Sequence, residues 1–357
     1  MHRKFNNFPL FIAIYSSLVI LLTACPQPPT PPTPGPIDAK AEGVYVLNEG
    51  LFQQNNCTLT YYDFNNNTLI EDIFLQVNNR GLGDTGNDLK RYGSKLYCVV
   101  NNSHRVEVMD INTARSIKAI SLLGKSPRSI VFYQDKAYVS CLDGDVVRID
   151  TATLEVDLTA HSGANPEGLC ISNGKLYVAN SGGYNPTFDS TMTVFDLSTM
   201  TPIKTIKVGL NPYKVYSDDN QTIYVCCRGN YNSVKATMSS IDATTDQITH
   251  TWTDVQNFLI YQGKAYVYTI DYNYVNPNPV KVIDLTNPDA PAVNFITDGT
   301  NITMPYGLAV NPLNGDIYIS DAHDFTVTGD VYCFDQNGKK KFSFSAGLNP
   351  SNILIKY

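Results

Sequence analysis

Histidine and tryptophan are scarce in this chain, with five of the first and one of the second, and the motifs that organise most hydrolytic and metal chemistry are missing too. There is no G-x-S-x-G nucleophile turn, no H-E-x-x-H zinc helix and no EF-hand loop, so no catalytic residue is assigned and the chain reads as non-enzymatic. Neither C-x-x-C nor C-x-x-C-H occurs, which excludes a zinc knuckle and covalent haem. No resident cofactor or metal is expected. A basic stripe is lacking as well: the formal net charge is −7, and the one lysine run, Lys339-Lys340-Lys341, follows a turn at Asn337-Gly338. That balance argues against nucleic acid and favours neutral or cationic partners. Sustained helical periodicity is absent throughout.

The one long apolar run lies near the start. His2, Arg3 and Lys4 precede Phe8 to Leu22, and Leu22-Thr23-Ala24-Cys25 follows, the arrangement of a secretory leader whose cleavage site ends at a cysteine to be lipidated. Residues 1–24 are therefore expected to be a lipoprotein signal peptide, and Cys25 the lipid anchor. From Pro26 to Pro36 the composition is proline, threonine and glycine, which cannot bury a core and favours extended polyproline II, so residues 25–38 read as a stalk. The remainder, 39–357, carries no second segment of that kind and reads as one domain. Seven cysteines scattered through it, several within apolar strand patterns, are expected to be small buried hydrophobes rather than a disulfide framework.

One phrase recurs: Tyr45-Val46, Tyr97-Cys98, Tyr138-Val139, Tyr177-Val178, Tyr224-Val225, Tyr266-Val267 and Tyr318-Ile319, with tyrosines 52, 41, 39, 47, 42 and 52 positions apart. A drifting period near ~40–50 residues is that of a four-stranded propeller blade. Four short strands can be traced around each copy, most cleanly from Asn211 to Trp252, with turns such as Asp143-Gly144, Asn173-Gly174 and Asn314-Gly315 suited to tight hairpins. The final phrase, Asn349-Pro350 to Tyr357, is an opening strand like that at Asn211, whereas Gly43 starts directly on a Tyr-Val strand. The expected fold is all-β, a seven-bladed β-propeller of four-stranded antiparallel blades, closed by the last strand joining the first blade and so leaving no open sheet edge.

In such a fold the loops that lead into the inner strands, and those between second and third strands, gather on one face. Asn87-Asp88, Pro127-Arg128, Pro166-Glu167, Pro212-Tyr213, Pro305-Tyr306 and Pro350-Ser351 precede inner strands and are predicted to ring a funnel. The second loop class (101–105, 180–188, 228–232, 271–276 and 321–325) is rich in Asn, Gly and Tyr, a composition that suits recognition. The candidate ligand contacts are Asp88, Arg128, Glu167, Tyr184, Tyr213, Arg228, Tyr231, Tyr272, Tyr306 and His323, with Tyr274 beside them; the alternative for the two arginines is pairing with strand-end carboxylates. His104, His161 and His323 fall in loops of this face, where an axial contact to a metal could form. Glu49, Asp88, Glu167 and Asn180 are the set a metal-dependent lactonase would need.

Gly81-Leu82-Gly83-Asp84-Thr85-Gly86 matches G-x-G-x-x-G, and within it Asp84-Thr85-Gly86 matches the aspartic-protease triplet. The first needs a following helix and the second a partner triplet, and the sequence offers neither.

Tyr177-Val178-Ala179-Asn180, with Val194-Phe195-Asp196 and Ile206-Lys207-Val208-Gly209 after it, resembles the YVTN/YncE-like propeller repeat, over nearly all of 43–357. The opening Gly43 to Gly50 with Thr58 to Asp63 is similar to that of Bacteroidetes propeller lipoproteins, some of which capture cobalamin at the cell surface. The resemblance implies an outer-membrane lipoprotein, at the cell surface or on the periplasmic face, that holds cobalamin or another sizeable ligand for a TonB-dependent transporter. The rival expectations are a protein-binding or surface-layer scaffold and a lactonase or hydrolase.

Overall fold

The computed structural model describes residues 40–218, 221–272 and 275–357. The leader, Cys25, the proline stalk and Tyr274 lie outside the described residues. Seven four-stranded antiparallel sheets follow one another along the chain, so the fold is the seven-bladed β-propeller expected from the repeat. Blade 2 consists of Gly86–Tyr92, Lys95–Val100, Arg105–Asp110 and Ser116–Ser121, and blades 3 to 7 repeat that order, ending with Lys340–Leu348. Blade 1 is composite: Pro350–Lys356 supplies its inner strand and pairs antiparallel with Gly43–Asn48, ahead of Thr58–Asp63 and Thr68–Ile70. Among the described residues no helix is long and apolar enough to cross a membrane.

The repeated tyrosine is explained by the packing. A second strand such as Gly43–Asn48 is buried at all of its positions because both faces of the sheet are covered. Tyr45 and Leu47 pack toward blade 2 with Leu89, Leu96 and Cys98, whereas Val44 and Val46 pack toward blade 7 with Tyr318, Val331 and Phe344. Alternate side chains of one strand thus fill two different interfaces. The Tyr45 hydroxyl crosses to the Ile111 carbonyl at 2.8 Å, and that of Tyr177 to Asp246 at 2.7 Å. All seven cysteines of the described region are buried and free.

On the face opposite the funnel, each blade turns on an aspartate. Asp110, Asp150, Asp196 and Asp242 each accept two backbone N–H groups, from the residues two and three positions on. The carboxyls of Asp150, Asp196 and Asp242 lie below the ordinary range: the first through the Lys136 ammonium and then these backbone bonds, the second through the Ser198 hydroxyl and then the backbone, and the third through the backbone N–H groups of Thr245 and Thr244.

Six of the seven inner strands begin with a β-bulge, and this is what builds the funnel. The register slips after Gly86, Pro127, Pro166, Pro212 and Pro305, and between the partners of Pro350 and Asn352. Each slip leaves Asn87, Arg128, Glu167, Tyr213, Tyr306 or Ser351 without a ladder partner, and all six line the axial cavity. Blade 6 differs: its inner strand Asn257–Tyr261 pairs with Lys264–Tyr268 without a slip.

Neighbouring bulges come so close that some positions tolerate no side chain. A Cβ on Gly168 would stand 2.4 Å from the Tyr213 carbonyl oxygen, with backbone atoms of Val215 and Lys214 next to it. Gly168→Ala is expected to lower stability by ~1–3 kcal/mol through overpacking. Gly81→Ala, where a Cβ meets nothing within 4 Å, should leave the urea midpoint unchanged.

Candidate functional site

The inner strands surround a funnel of about 300 Å³. Its charged side chains are Glu49, Asp88, Lys90, Arg128, Glu167, Lys214 and Arg228, and its aromatic ones Tyr213, Tyr268, Tyr272 and Tyr306. Seven of the residues expected to contact a ligand therefore meet here: Asp88, Arg128, Glu167, Tyr213, Arg228, Tyr272 and Tyr306. Tyr231 stands in an adjoining groove of about 550 Å³ between the loops of blades 5 and 6. Tyr184 and His323 line neither cavity. Tyr184 is 74% exposed on the blade 4 loop. His323 lies 3.1 Å from Asp330 and 3.5 Å from Asp321 in blade 7.

Glu167 is the electrostatic centre of the funnel. Its carboxylate takes the Arg128 Nε–H at 2.8 Å and faces Arg228 Nη1 at 4.0 Å. Arg128 also donates to Asn87 Oδ1 at 2.7 Å. Burial works to lower the pKa of Arg128, but the Glu167 charge outweighs it and holds the guanidinium ionised. Glu49 is pushed above the usual carboxylate range by burial, against the hydrogen bond it accepts from the Tyr306 hydroxyl at 2.7 Å and the nearby charges of Arg128 and Arg228.

The other polar groups mostly brace one blade against the next. Asp88 accepts the Ser129 hydroxyl at 2.8 Å and the Ile130 N–H at 3.0 Å. Asn352 and Asn257 reach forward in the same way, to the carbonyls of Asn87 and Tyr306. Asp88 is thus a wall residue whose carboxylate holds blades 2 and 3 together.

Lys214 is the exception among the cations. Its ammonium donates to Asn257 Oδ1 at 2.7 Å and lies 5.3 Å from the centre of the Phe258 ring, with no carboxylate in ion-pair range. Burial, with Lys90 across the funnel adding to it, lowers its pKa to about 8; Cys226 and Asp88 oppose the shift weakly. Between that value and the ordinary 10.5, the unfolded chain holds a proton that the folded one has released, so stability rises with pH across the window. Lys214→Met is expected to abolish the component of that rise due to this residue, read as the difference in urea midpoints between about pH 7.5 and pH 9.5.

Glu49, Lys90, Lys214, Asn257 and Tyr268 also line the funnel, and of these the sequence points only to Glu49, as a metal ligand. For Tyr268 the signal was available. Two residues after the repeated tyrosine the other blades carry Leu47, Val99, Ser140, Ala179, Cys226 and Ser320. Only blade 6 places a tyrosine there, and its hydroxyl bonds the Tyr306 carbonyl and Asn257. Glu49, Asp88 and Glu167 are each held by different neighbours, and Asn180 turns into its own sheet toward Thr191 and Thr193. His104, His161 and His323 are separately bonded to the Lys125 carbonyl, Asp145 and Asp330. Among the described residues no group of three His, Cys, Asp or Glu side chains is arranged to hold a metal ion. The G-x-G-x-x-G stretch leads into the inner strand of blade 2, where Asp84 ties the loops by accepting from Gln53 N and Asn102 Nδ2.

A family model described as "Domain of unknown function (DUF5074)" matches residues 42–349. Among curated proteins nothing matches. Solved structures share the fold at low identity. A quinoprotein alcohol dehydrogenase-like protein from Bacteroides thetaiotaomicron is 15% identical, with a TM-score of 0.64 and coverage of 88% of this chain and 78% of its own. Kuenenia stuttgartiensis hydrazine synthase is 17% identical, with a TM-score of 0.60 and coverage of 73% and 86%. A computationally designed protein, Ika8, is 13% identical with a TM-score of 0.58, covering 88% and 91%. At such identities the likeness speaks to the fold.

Proposed function

The chain belongs to the DUF5074 family, and from that premise we propose that it is an envelope-anchored, non-enzymatic binding protein that captures a sizeable ligand on its loop face for an outer-membrane transporter. The observation that carries this reading is the funnel itself, a hollow whose wall combines an Arg128–Glu167 pair with four tyrosines. Concave sites of some ~300–1,000 Å³ with a few convergent polar groups are where small molecules bind. A scaffold for another protein would be served by a flat face, so the hollow favours a ligand.

A ligand larger than the funnel rests its bulk on the rim. There an aromatic row passes over three successive blades, with ring centres 6.1 Å apart from Phe188 to Tyr231 and 6.3 Å from Tyr231 to Tyr272. Cobalamin is the candidate that the lipoprotein resemblance supplies. Titration of the purified protein, followed by corrin absorbance and tyrosine fluorescence, is expected to give saturable one-to-one binding with Kd at or below about 1 μM. Absence of binding at ~100 μM removes cobalamin as the ligand.

A further inference from the structure

The funnel and the groove between blades 5 and 6 adjoin, with Arg228, Gln256, Ile270 and Tyr272 as their shared wall. The two parts differ in chemistry. The groove is walled by Val234, Ala236, Ile270 and the rings of Tyr231 and Tyr272, and its charges are internally met: Lys235 pairs with Asp254 at 3.0 Å, and Asp271 accepts from Asn276. Val234 and Tyr231 are 44% and 53% exposed there.

At the junction stands Arg228. Its guanidinium lies 3.7 Å from the centre of the Tyr213 ring, and its nearest carboxylate, Glu167, is 4.0 Å away and beyond hydrogen-bond reach. The donors of that guanidinium fork have no hydrogen-bond acceptor among the described residues, whereas each carboxylate of the funnel accepts at least one hydrogen bond: Glu167 from Arg128, Glu49 from Tyr306, and Asp88 from Ser129 and Ile130. The wall therefore holds an unmet set of charged donors, and a planar fork of N–H groups is matched by a carboxylate or a similar oxyanion.

Building on the capture reading, we propose that the ligand this site takes is an amphiphilic organic anion, its oxyanion group on the Arg228 guanidinium at the funnel mouth and its apolar, ring-sized body in the groove against Tyr231, Tyr272 and Val234. Arg228 sets charge selectivity, and the groove sets selectivity for an apolar body.

The test uses 2-naphthoate, the neutral 2-naphthalenemethanol and acetate, titrated calorimetrically into the purified protein. Naphthoate is expected to bind one per chain, about tenfold or more tighter than either the alcohol or acetate, the difference an oxyanion on arginine commonly makes. Arg228→Gln should reduce naphthoate to the affinity of the alcohol, and Val234→Asp should weaken naphthoate binding while thermal melting stays cooperative. The comparison of the three probes on the unaltered protein needs no variant to fold. Equal affinity for naphthoate and the alcohol, naphthoate binding unchanged in Arg228→Gln, or no naphthoate binding at all overturns the proposal. If naphthoate fails while cobalamin still binds one-to-one, the capture reading stands and the anion assignment alone falls.

Discussion

Deletion of Pro350–Tyr357 is expected to leave a chain that no longer unfolds cooperatively. Those residues supply the inner strand of blade 1, so their loss strips the Gly43–Asn48 strand of its partner and opens the ring between blades 7 and 2. The buried Ile355 and the half-buried Ile353 and Leu354 leave the core with it, where full burial of one such side chain is worth about 1.5–3 kcal/mol. Asn349 and Leu348 also lose the closure they make with Glu49 and Gly50 through backbone bonds of 2.9 and 3.1 Å, because the path beyond them is gone. Against a total stability of ~5–15 kcal/mol, a loss of that size abolishes the native state. Thermal melting and limited proteolysis read the outcome. A synthetic peptide spanning 349–357 should restore a cooperative transition as its concentration rises, since it re-forms the missing strand by addition to a sheet edge. A truncated chain that melts as sharply as the full one would mean that closure is not what holds the blades together.

The second large effect is expected at Glu167. Its side chain is 11% exposed and that of Arg128 19%, so Glu167→Gln leaves two guanidinium groups facing one another in a poorly hydrated wall. Removing one member of a buried pair costs about 3 kcal/mol or more, because the other charge loses its hydrogen-bonded counter-ion. Replacing both members, Arg128→Met with Glu167→Gln, removes the pair as a unit and should recover most of the loss, so a double-mutant cycle is expected to show coupling well beyond that of a surface ion pair. If Glu167→Gln is neutral, water reaches the pair freely and the funnel wall is well hydrated. A built-in check is salt: the single variant should gain stability in high ionic strength more than the native protein does.

The blade count was legible because each Tyr-Val strand must bury both of its faces, which places the same residues at every inter-blade contact. The funnel ring was legible for a different reason. A proline heads the inner strand at the bulge in five blades, after Ser126, Asn165, Asn211, Met304 and Asn349, with Gly86 in its place in blade 2, and the residue after it has no ladder partner, as at Pro127-Arg128 and Pro212-Tyr213. Lys214 is not legible in the sequence because nothing local distinguishes it from an ordinary strand lysine; only the approach of blade 6, with Asn257 and Phe258, sets its surroundings. The stacking of Arg228 on Tyr213 is likewise a contact between one blade's inner strand and its second-to-third loop. The short helix Ile73–Asn78, capped by Asp72 and burying Phe74, was also not foreseen, since six residues are too few to carry a periodic signal. The chain as a whole carries −7, which favours neutral or cationic partners, yet the funnel gathers four cationic side chains against three carboxylates, and a ligand within a Debye length responds to the local set.

A ring built from seven equivalent blades would offer an incoming molecule seven equivalent ways to sit. Here blade 6 alone begins its inner strand without a bulge and sets Tyr268 where the other blades carry smaller or aliphatic residues. The rotational degeneracy is thereby lifted: the funnel has a unique azimuth, marked by Tyr268 and Gln256 on the side that opens into the groove. A molecule entering along the axis finds one orientation better than the rest, so an asymmetric ligand can be presented to whatever lies above the loop face always the same way round.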